Sequence, residues 1–412
     1  MHKQKILVIG TTDYQGGAAR VGWDLGHELI KRGYDVKYLV GYKKSEKKYV
    51  YELRQPIMFK WLDEFTKYNT TGLFRHLRSF ILANNIDFGA SSEILDHPWY
   101  KAADIVHCHN LHGNYFKLET LVRISQEKKV VWTLHDMSAI TGKCAYTTNP
   151  SKWSPGYYKC HQLASYPPML WDNTKYMWNK KKYIYTKCGK ISVISPSNWL
   201  AKIVNNSILS NHAISTIYNG VDPTIFKKID KSVARKELNL PLNKKIVLFV
   251  ADGGTKDPRK GWIYTQQAIK AASNIDNLYP ICIGNDSNMQ RVQNVGYVRD
   301  RKILAKYYSA SDVLLFTSTA ENCPLVVLEA MSCGLPVISF DVGGVKELVE
   351  HKLNGWIAKY KDNGDLISGI YYIFGLENKS LKTMRSINSK KVKEKYSIEK
   401  MTDNYIKLYK SL

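Results

Sequence analysis

Residues 312–340 read DVLLFTSTAENCPLVVLEAMSCGLPVISF. The first six form a short apolar run ending at Thr317, the length of one buried strand. A polar loop carrying Glu321 follows. The next apolar stretch is predicted to turn helical at Pro324 or Leu325, because proline is tolerated in a first helical turn. Gly334 sits where a helix stops, and residues 336–340 read as a second strand. Strand, loop, helix and strand in this order is the repeating unit of a parallel sheet with crossover helices.

The same grammar recurs outward from this segment. Residues 5–10 (KILVIG) read as a strand, followed by a polar loop with Gly16-Gly17. Residues 18–32 place Val21, Leu25 and Leu29 at four-residue spacing with Gly33 at the stop, which predicts a helix. Residues 35–40 form the next strand, and 103–107, 130–134, 191–195 and 214–218 complete a first set. Residues 43–100 are less regular and rich in aromatics. A second set comprises 245–251, a helix from Gly261, then 279–284, a strand near Val295, 312–317 and 336–340. The turn-rich stretch 218–223 (YNGVDP) separates the sets as a hinge. Residues 397–412 bring Met401, Tyr405, Leu408, Tyr409 and Leu412 onto one helical face, which predicts a docked helix. The expected fold class is α/β with two Rossmann-like domains. One spans 1–218 and is completed by the helix 397–412; the other spans 219–396. Ligands of such sheets bind in a cleft at the carboxyl ends of the strands.

Bulk properties narrow the class. The chain has 412 residues, 44% hydrophobic and 23% charged, which excludes a disordered or collagenous polymer. No run of 18 apolar residues occurs, so no transmembrane helix is expected. The start lacks the pattern of a signal peptide, and cytoplasmic residence is the expectation. The seven cysteines are an odd number without a Cys-x-x-Cys pair; they read as small buried thiols and not as a disulfide framework. The net charge is +24, with 29 basic and 16 acidic residues through position 190 and 31 and 20 after it. Basicity spread over both halves suits an anionic phospholipid surface or a polyanionic substrate, and equally suits a plain Lys-, Asn-, Ile- and Tyr-rich composition. No nucleic-acid-binding motif is present.

Several constellations carry chemistry. The helix start at 324–327 presents unpaired backbone N–H groups and the positive end of the helix dipole, a site for phosphate. Glu321 and Glu329 flank it, and carboxylates accept pairs of sugar hydroxyls. The run Asp257-Pro258-Arg259-Lys260-Gly261 places cations at another helix start, suited to a diphosphate. Gly16-Gly17 allows backbone to approach an oxyanion, although no G-x-G-x-x-G fingerprint is present. His107, His109 and His112 precede His135-Asp136. Such histidines can hold metal, but no partner set with clean ligand spacing accompanies them.

Glu321 and Glu329, followed by Ala330-Met331, Gly334 and Pro336-Val337-Ile338, form a Glu-x7-Glu pattern that strongly resembles the retaining glycosyltransferases of family four, which have the GT-B fold. Gly343-Gly344 match the glycine pair that follows it. The resemblance runs along the whole chain and is most specific from 250 to 358. It implies two facing Rossmann-like domains, and it implies roles. Glu321 would hold donor-sugar hydroxyls and Glu329 the ribose. Lys260 would meet the diphosphate with Arg259 beside it, and Gly16, Gly17 and the backbone of Pro324, Leu325 and Val326 would help. Val298 would bracket the nucleobase, and His135 would contact the sugar near the reacting carbon. Asp13 and His109 would lie on the acceptor side. The family's second basic residue, six positions before the lysine, is Gly254 here, with Lys256 nearby. The insert 141–163 resembles a subset with four cysteines; only Cys144 and Cys160 remain, with Asn149 and Tyr157 in the other places and His161 close by, so no metal is expected.

The resemblance thus implies a retaining hexosyl transfer without cofactor in cell-surface polysaccharide synthesis. The donor would be a nucleotide-diphosphate sugar. The acceptor would be a saccharide or a lipid-diphosphate saccharide, and nucleic acid would not be a partner. The aromatic and basic residues Tyr42, Lys43, Lys44, Lys47, Lys48 and Tyr49, with Lys180-Lys181-Lys182-Tyr183, are expected to face an anionic membrane. Two alternatives stand beside this: a noncatalytic basic protein binding membrane or nucleic acid, and a sugar-nucleotide epimerase of the same fold. A phosphorylase would want a pyridoxal lysine, which the sequence does not identify.

Overall fold

A computed structural model describes residues 3–53, 77–146, 163–250, 257–284 and 289–412, apart from 88, 91 and 165. The chain divides into two units, Met1–Ile217 with Asn404–Leu412, and Tyr218–Asp403.

The first unit is built on β1 (Lys5–Thr12), β2 (Asp35–Tyr42), β3 (Val50–Glu52), β4 (Ile105–Cys108), β5 (Lys129–Thr133), β6 (Ile191–Ser195) and β7 (Ala213–Thr216). They form one sheet in the order β3-β2-β1-β4-β5-β6-β7, parallel at every pairing. A parallel sheet is covered on both faces, so its inner strands are apolar throughout and do not alternate. Ile6, Leu7, Val8 and Ile9 of β1 are all buried, whereas the edge strand β7 is partly exposed along its length. The strand order reverses between β1 and β4. That point lies between the loops after these two strands, which carry Asp13 to Gly17 and His109 to His112.

The second unit holds β8 (Lys245–Val250), β9 (Leu278–Ile283), β10 (Gln293–Gly296), β11 (Val313–Phe316), β12 (Val337–Phe340) and β13 (Gly355–Ala358). Their order is β10-β9-β8-β11-β12-β13, again parallel at every pairing. The reversal falls between β8 and β11, so the loops carrying Lys260 and Glu321 leave neighbouring strands. Each unit encloses its own apolar core.

Differences from the sequence reading are local. β1 and β2 each run two residues past the expected ends. The edge strands β3 (VYE) and β13 (GWIA) are only partly buried and lack the continuous apolar run that marks an inner strand. The helices Lys231–Glu237, Asn363–Gly375 and Asn378–Lys395 were not read from the pattern. The final helix is Ile398–Ser411. The chain passes between units inside it, at 403/404, and not at 396/397. The reason is pairing before the helix: Val221 donates its N–H to Tyr396 O at 3.0 Å, and Ile398 donates to Val221 O at 2.9 Å. A Cβ on Gly220 would lie 2.6 Å from Ser397 O, so this crossing of backbones needs glycine there. Farther along, Tyr405 and Tyr409 are buried in the first unit.

Cys108, Cys282, Cys323 and Cys333 are buried, Cys144 and Cys188 are half-buried, and Cys160 lies outside the described residues. Among the described residues no helix is long and apolar enough to cross a membrane.

Candidate active site

In the second unit the site grows from a turn stitched to a strand end. Asp257 caps the turn Pro258–Lys260, accepting the Arg259 N–H at 2.9 Å. Gly261 follows at φ 69, packed so closely on the Thr317 carbonyl that a Cβ has no room. The Thr317 hydroxyl bonds the Lys260 and Gly261 carbonyls at 3.1 and 3.0 Å, and Thr319 N–H donates to Arg259 O at 2.7 Å. These bonds hold the Lys260 turn against the loop leaving β11. The Lys260 ammonium then meets Glu321 Oε1 at 2.9 Å. Burial pulls the lysine pKa down, but the Glu321 carboxylate more than offsets this and the net shift is upward. The lysine is therefore held as a cation.

The loop after Glu321 explains the glycine pair. Gly343, at φ 53, packs against the Glu321 carbonyl with no space for a side chain, and Gly344 N–H donates to Asn322 O at 3.1 Å. The next helix is Leu325–Ser332, with Pro324 as its N-cap and no side chain capping it. Pro324 has no N–H, so the donors of this first turn belong to Leu325, Val326 and Val327. Leu325 and Val326 are half-buried and Pro324 is buried. Glu329 lies one turn in, buried, and its Oε2 accepts from Tyr308 OH at 3.1 Å. Val298, just past β10, is half-buried against the core.

In the first unit Gly16 caps the fifteen-residue helix Gly17–Lys31 at φ 92, without a side-chain cap. A Cβ on either Gly16 or Gly17 would meet nothing within 4 Å, so the helix start opens to space. An uncapped start with exposed glycines suits an oxyanion. Within β4 and just past the ends of β4 and β5 the histidines form a ladder. His107 is fixed at both nitrogens, by Tyr409 OH at 2.7 Å and Thr133 Oγ1 at 2.8 Å. His109 stacks on it with centroids 4.4 Å apart, and His109 Nδ1 lies 2.8 Å from His135 Nε2. Burial lowers the pKa of His107 to about 3 and of His135 to about 4, and that of His109 well below the usual value. All three are neutral at physiological pH. His112 Nε2 bonds Asp136 Oδ2 at 2.8 Å. Burial raises the Asp136 pKa, but His112 and the Ser138 N–H outweigh it and hold the carboxyl at about 2.

Several expectations are corrected. Asp13 is only 1% exposed, and its two carboxylate oxygens accept the N–H groups of Lys44 and Ser45 at 2.9 and 2.8 Å. It anchors a loop and does not present itself to an acceptor. His109 is buried within the ladder and does not line a surface. The Arg259 guanidinium folds back on Asp257 through bonds of 3.1 and 2.7 Å, so its charge is already matched. Lys181 is buried, donating to Ser138 O and Thr141 O at 2.7 and 3.0 Å, and burial brings its pKa down to about 8. Lys180 pairs with Asp87 and Glu119. Within the run 180–183, Lys180 and Lys181 are therefore taken by partners, whereas Lys182 and Tyr183 stay exposed. Gly254, Lys256, Asn149, Tyr157, Cys160 and His161 lie outside the described residues. Among the described residues no group of three or more His, Cys, Asp or Glu side chains could hold a metal ion.

The Tyr308 contact to Glu329 and the pairing of His112 with Asp136 are not legible in the sequence. Nothing local shows which side chain a buried tyrosine will meet.

Known proteins resemble this arrangement along the chain. The family described as Glycosyltransferase Family 4 matches residues 15–225, and the one described as Glycosyl transferases group 1 matches 244–374. The colanic acid biosynthesis glycosyl transferase WcaC of Escherichia coli (strain K12) is 26% identical over 97% of both chains. The N-acetyl-alpha-D-glucosaminyl L-malate synthase of Bacillus anthracis is 23% identical over 98% of this chain and 96% of its own. Among solved structures, sucrose-phosphate synthase from Thermosynechococcus elongatus superposes with a TM-score of 0.69 at 19% identity, covering 99% of each chain. Anabaena HepE in complex with UDP-glucose gives 0.66 at 18% identity, covering 99% of this chain and all of its own. At these identities the structural likeness speaks to the fold.

Proposed function

The chain belongs to glycosyltransferase family 4, and from that membership we propose a retaining, metal-independent transferase that moves a hexosyl group from a nucleotide-diphosphate sugar to a saccharide or lipid-linked saccharide. The observation that carries the reading is the Lys260–Glu321 pair on loops at the strand reversal of the second unit. The pair holds the two charges a sugar nucleotide needs: a cation for the diphosphate, and a carboxylate for sugar hydroxyls. In the pair the ammonium and the carboxylate neutralise each other. An arriving diphosphate takes over the Lys260 charge and leaves Glu321 to accept from the sugar. Stabilising the leaving diphosphate with preorganised donors is the main electrostatic task of such a transfer. Lys260 and the uncapped helix start at Leu325 perform it in the second unit. In the first unit, Gly16-Gly17 supply backbone donors and His135 a neutral imidazole. Val298 and its neighbours bracket the base, and Glu329, steadied by Tyr308, takes the ribose.

HepE is described with UDP-glucose bound, which makes UDP-sugars the first donors to test. In a thermal-shift panel of UDP, GDP, ADP and their sugars in EDTA, one nucleotide family should raise the melting temperature. A ligand at a hundred times its Kd adds about 2.7 kcal/mol of stability. A flat panel from a folded protein would overturn the donor assignment and favour the noncatalytic alternative.

The same reading places the acceptor at a membrane surface, as a lipid-diphosphate saccharide for polysaccharide synthesis. It is supported by exposed apolar residues in the first unit and by the +24 charge. Leu170 and Trp171 are 58% and 49% exposed beside exposed Leu77, Ile81 and Leu82. The Trp171 indole donates to Ile81 O at 3.0 Å and Leu170 N–H to Phe80 O at 3.0 Å, which ties the two segments into one patch. Exposed tryptophan and leucine suit a bilayer interface, and the excess of basic residues over the whole chain suits an anionic one. In flotation at low salt, vesicles containing phosphatidylglycerol should retain the protein and neutral vesicles should not. Trp171→Ser with Leu170→Ser should release it. Failure of the anionic vesicles to retain it would sink the membrane assignment and leave the donor site untouched.

A further inference from the structure

His109 and His135 face each other in an arrangement that only one pair of tautomers satisfies. Each ring is neutral and so carries one N–H and one lone pair, and the 2.8 Å bond between His109 Nδ1 and His135 Nε2 needs one of each. The other nitrogen of His109, Nε2, is buried without a hydrogen-bond partner. It lies beneath Gly22 of the helix Gly17–Lys31, where a Cβ would come within 2.9 Å of it. The Cα hydrogen of Gly22 that such a Cβ would replace therefore points at Nε2. A C–H directed at a lone pair is a weak attraction, whereas one directed at an N–H is a repulsion. An orphaned buried N–H is also a rarer arrangement than an acceptor left without a partner.

We infer that His109 is a positioning residue: its proton sits on Nδ1 and is donated to His135 Nε2, so that His135 is locked with its own proton on Nδ1. The consequence lies at His135. One nitrogen is occupied as an acceptor and the other already bears hydrogen. His135 is thereby a fixed, uncharged hydrogen-bond donor, and it is excluded from taking a proton as a general base.

The surroundings of His109 hold the device rigid. Its own N–H donates to Ile9 O at 2.9 Å, and its carbonyl accepts the Trp132 indole N–H at 2.9 Å. His107, stacked beneath it, is fixed at both nitrogens, one of them by Tyr409 of the final helix. Gly22 supplies the space, and any side chain there would press on the ring. Low pKa values keep the ladder uncharged and the tautomers defined across the neutral range.

The test is the nitrogen NMR of full-length protein labelled with 15N-histidine, assigned with the His109 and His135 variants. The wild type should show pyrrole-type Nδ1 and pyridine-type Nε2 at both residues. His109→Phe keeps the ring and removes the donor, so His135 should shift toward the Nε2–H form. His109→Asn places an amide N–H where Nδ1 stood and should restore the Nδ1–H form. Only the kinetic arm rests on the transferase reading. There His109→Phe should lower kcat about 10- to 100-fold, as lost orienting partners commonly do, and His109→Asn should recover most of it. A His135 protonated at Nε2 in the wild type, or unchanged in a folded His109→Phe, would overturn the inference whatever the activity. A correct tautomer pattern in a protein with no transfer to any tested acceptor would instead count against the transferase reading.

Discussion

Glu321→Gln is expected to cut transfer by about 100- to 1000-fold, the usual loss when one preorganised polar contact to the transition state is removed. Nucleoside diphosphate should bind no more weakly, because the substitution frees Lys260 from its partner. Lys260→Ala should show the complementary pattern, losing diphosphate affinity and transfer together. The folded protein will register both changes. In the pair, the Lys260 side chain is 27% exposed and that of Glu321 11%. Breaking it should cost about 1–2 kcal/mol, below the 3–5 kcal/mol of a fully buried pair because the lysine still reaches water. Isothermal titration with diphosphate, transfer assays with the sugar nucleotide, and denaturant melts separate the three effects. A Glu321→Gln protein with undiminished transfer would remove Glu321 from the chemistry.

The second large effect is acid sensitivity from the histidine ladder. In the unfolded chain histidines take up protons near pH 6.5. In the folded protein His107 and His135 resist protonation until about pH 3 and 4. Unfolding therefore takes up protons below pH 6.5, and stability falls as the pH falls. Each such histidine contributes a slope approaching about 1.4 kcal/mol per pH unit. His107 and His135 together remove up to about 4 kcal/mol between pH 6.5 and 5, and His109 adds to this. Typical folding stabilities are about 5–15 kcal/mol, so the loss is a large fraction of the whole. The Asp136 carboxyl, held at about 2, adds its own loss only below about pH 4. Guanidinium melts at pH 7.0, 6.0, 5.5 and 5.0 should show the decline, and His107→Gln should make it shallower. Stability that is level from pH 7 to 5 would mean that the ladder is not buried and neutral.

Much of the fold was legible because its signals are local. A buried parallel strand is a continuous apolar run, and a βα turn announces itself by glycine and polar residues within a few positions. The strands ILVIG, VVW, ISVIS and VLLF needed no knowledge of their neighbours. The candidate donor residues were legible for the same reason, since Glu321 and Glu329 stand on one loop and one helix, eight positions apart. The edge strands β3 (VYE) and β13 (GWIA) escaped because, half-buried, neither is a continuous run of buried apolar residues. Lys181 was misread because a lysine within a basic run looks solvated; its burial depends on the carbonyls of Ser138 and Thr141, forty residues away.

The two α/β halves, the turn chemistry and the family pattern follow from short stretches of chain, because each rests on residues close to one another in sequence. Which charges meet follows from packing between distant segments. Lys260 and Glu321 are 61 positions apart and become one ion pair through the Thr317 and Thr319 bonds. His107 waits for Tyr409, 302 positions on, and His109 for His135. Asp13, which read as a site residue, was taken by the backbone of Lys44 and Ser45. A side chain's charge, tautomer and availability are set by burial and by the partner it finds, and both come from segments that the local sequence does not name.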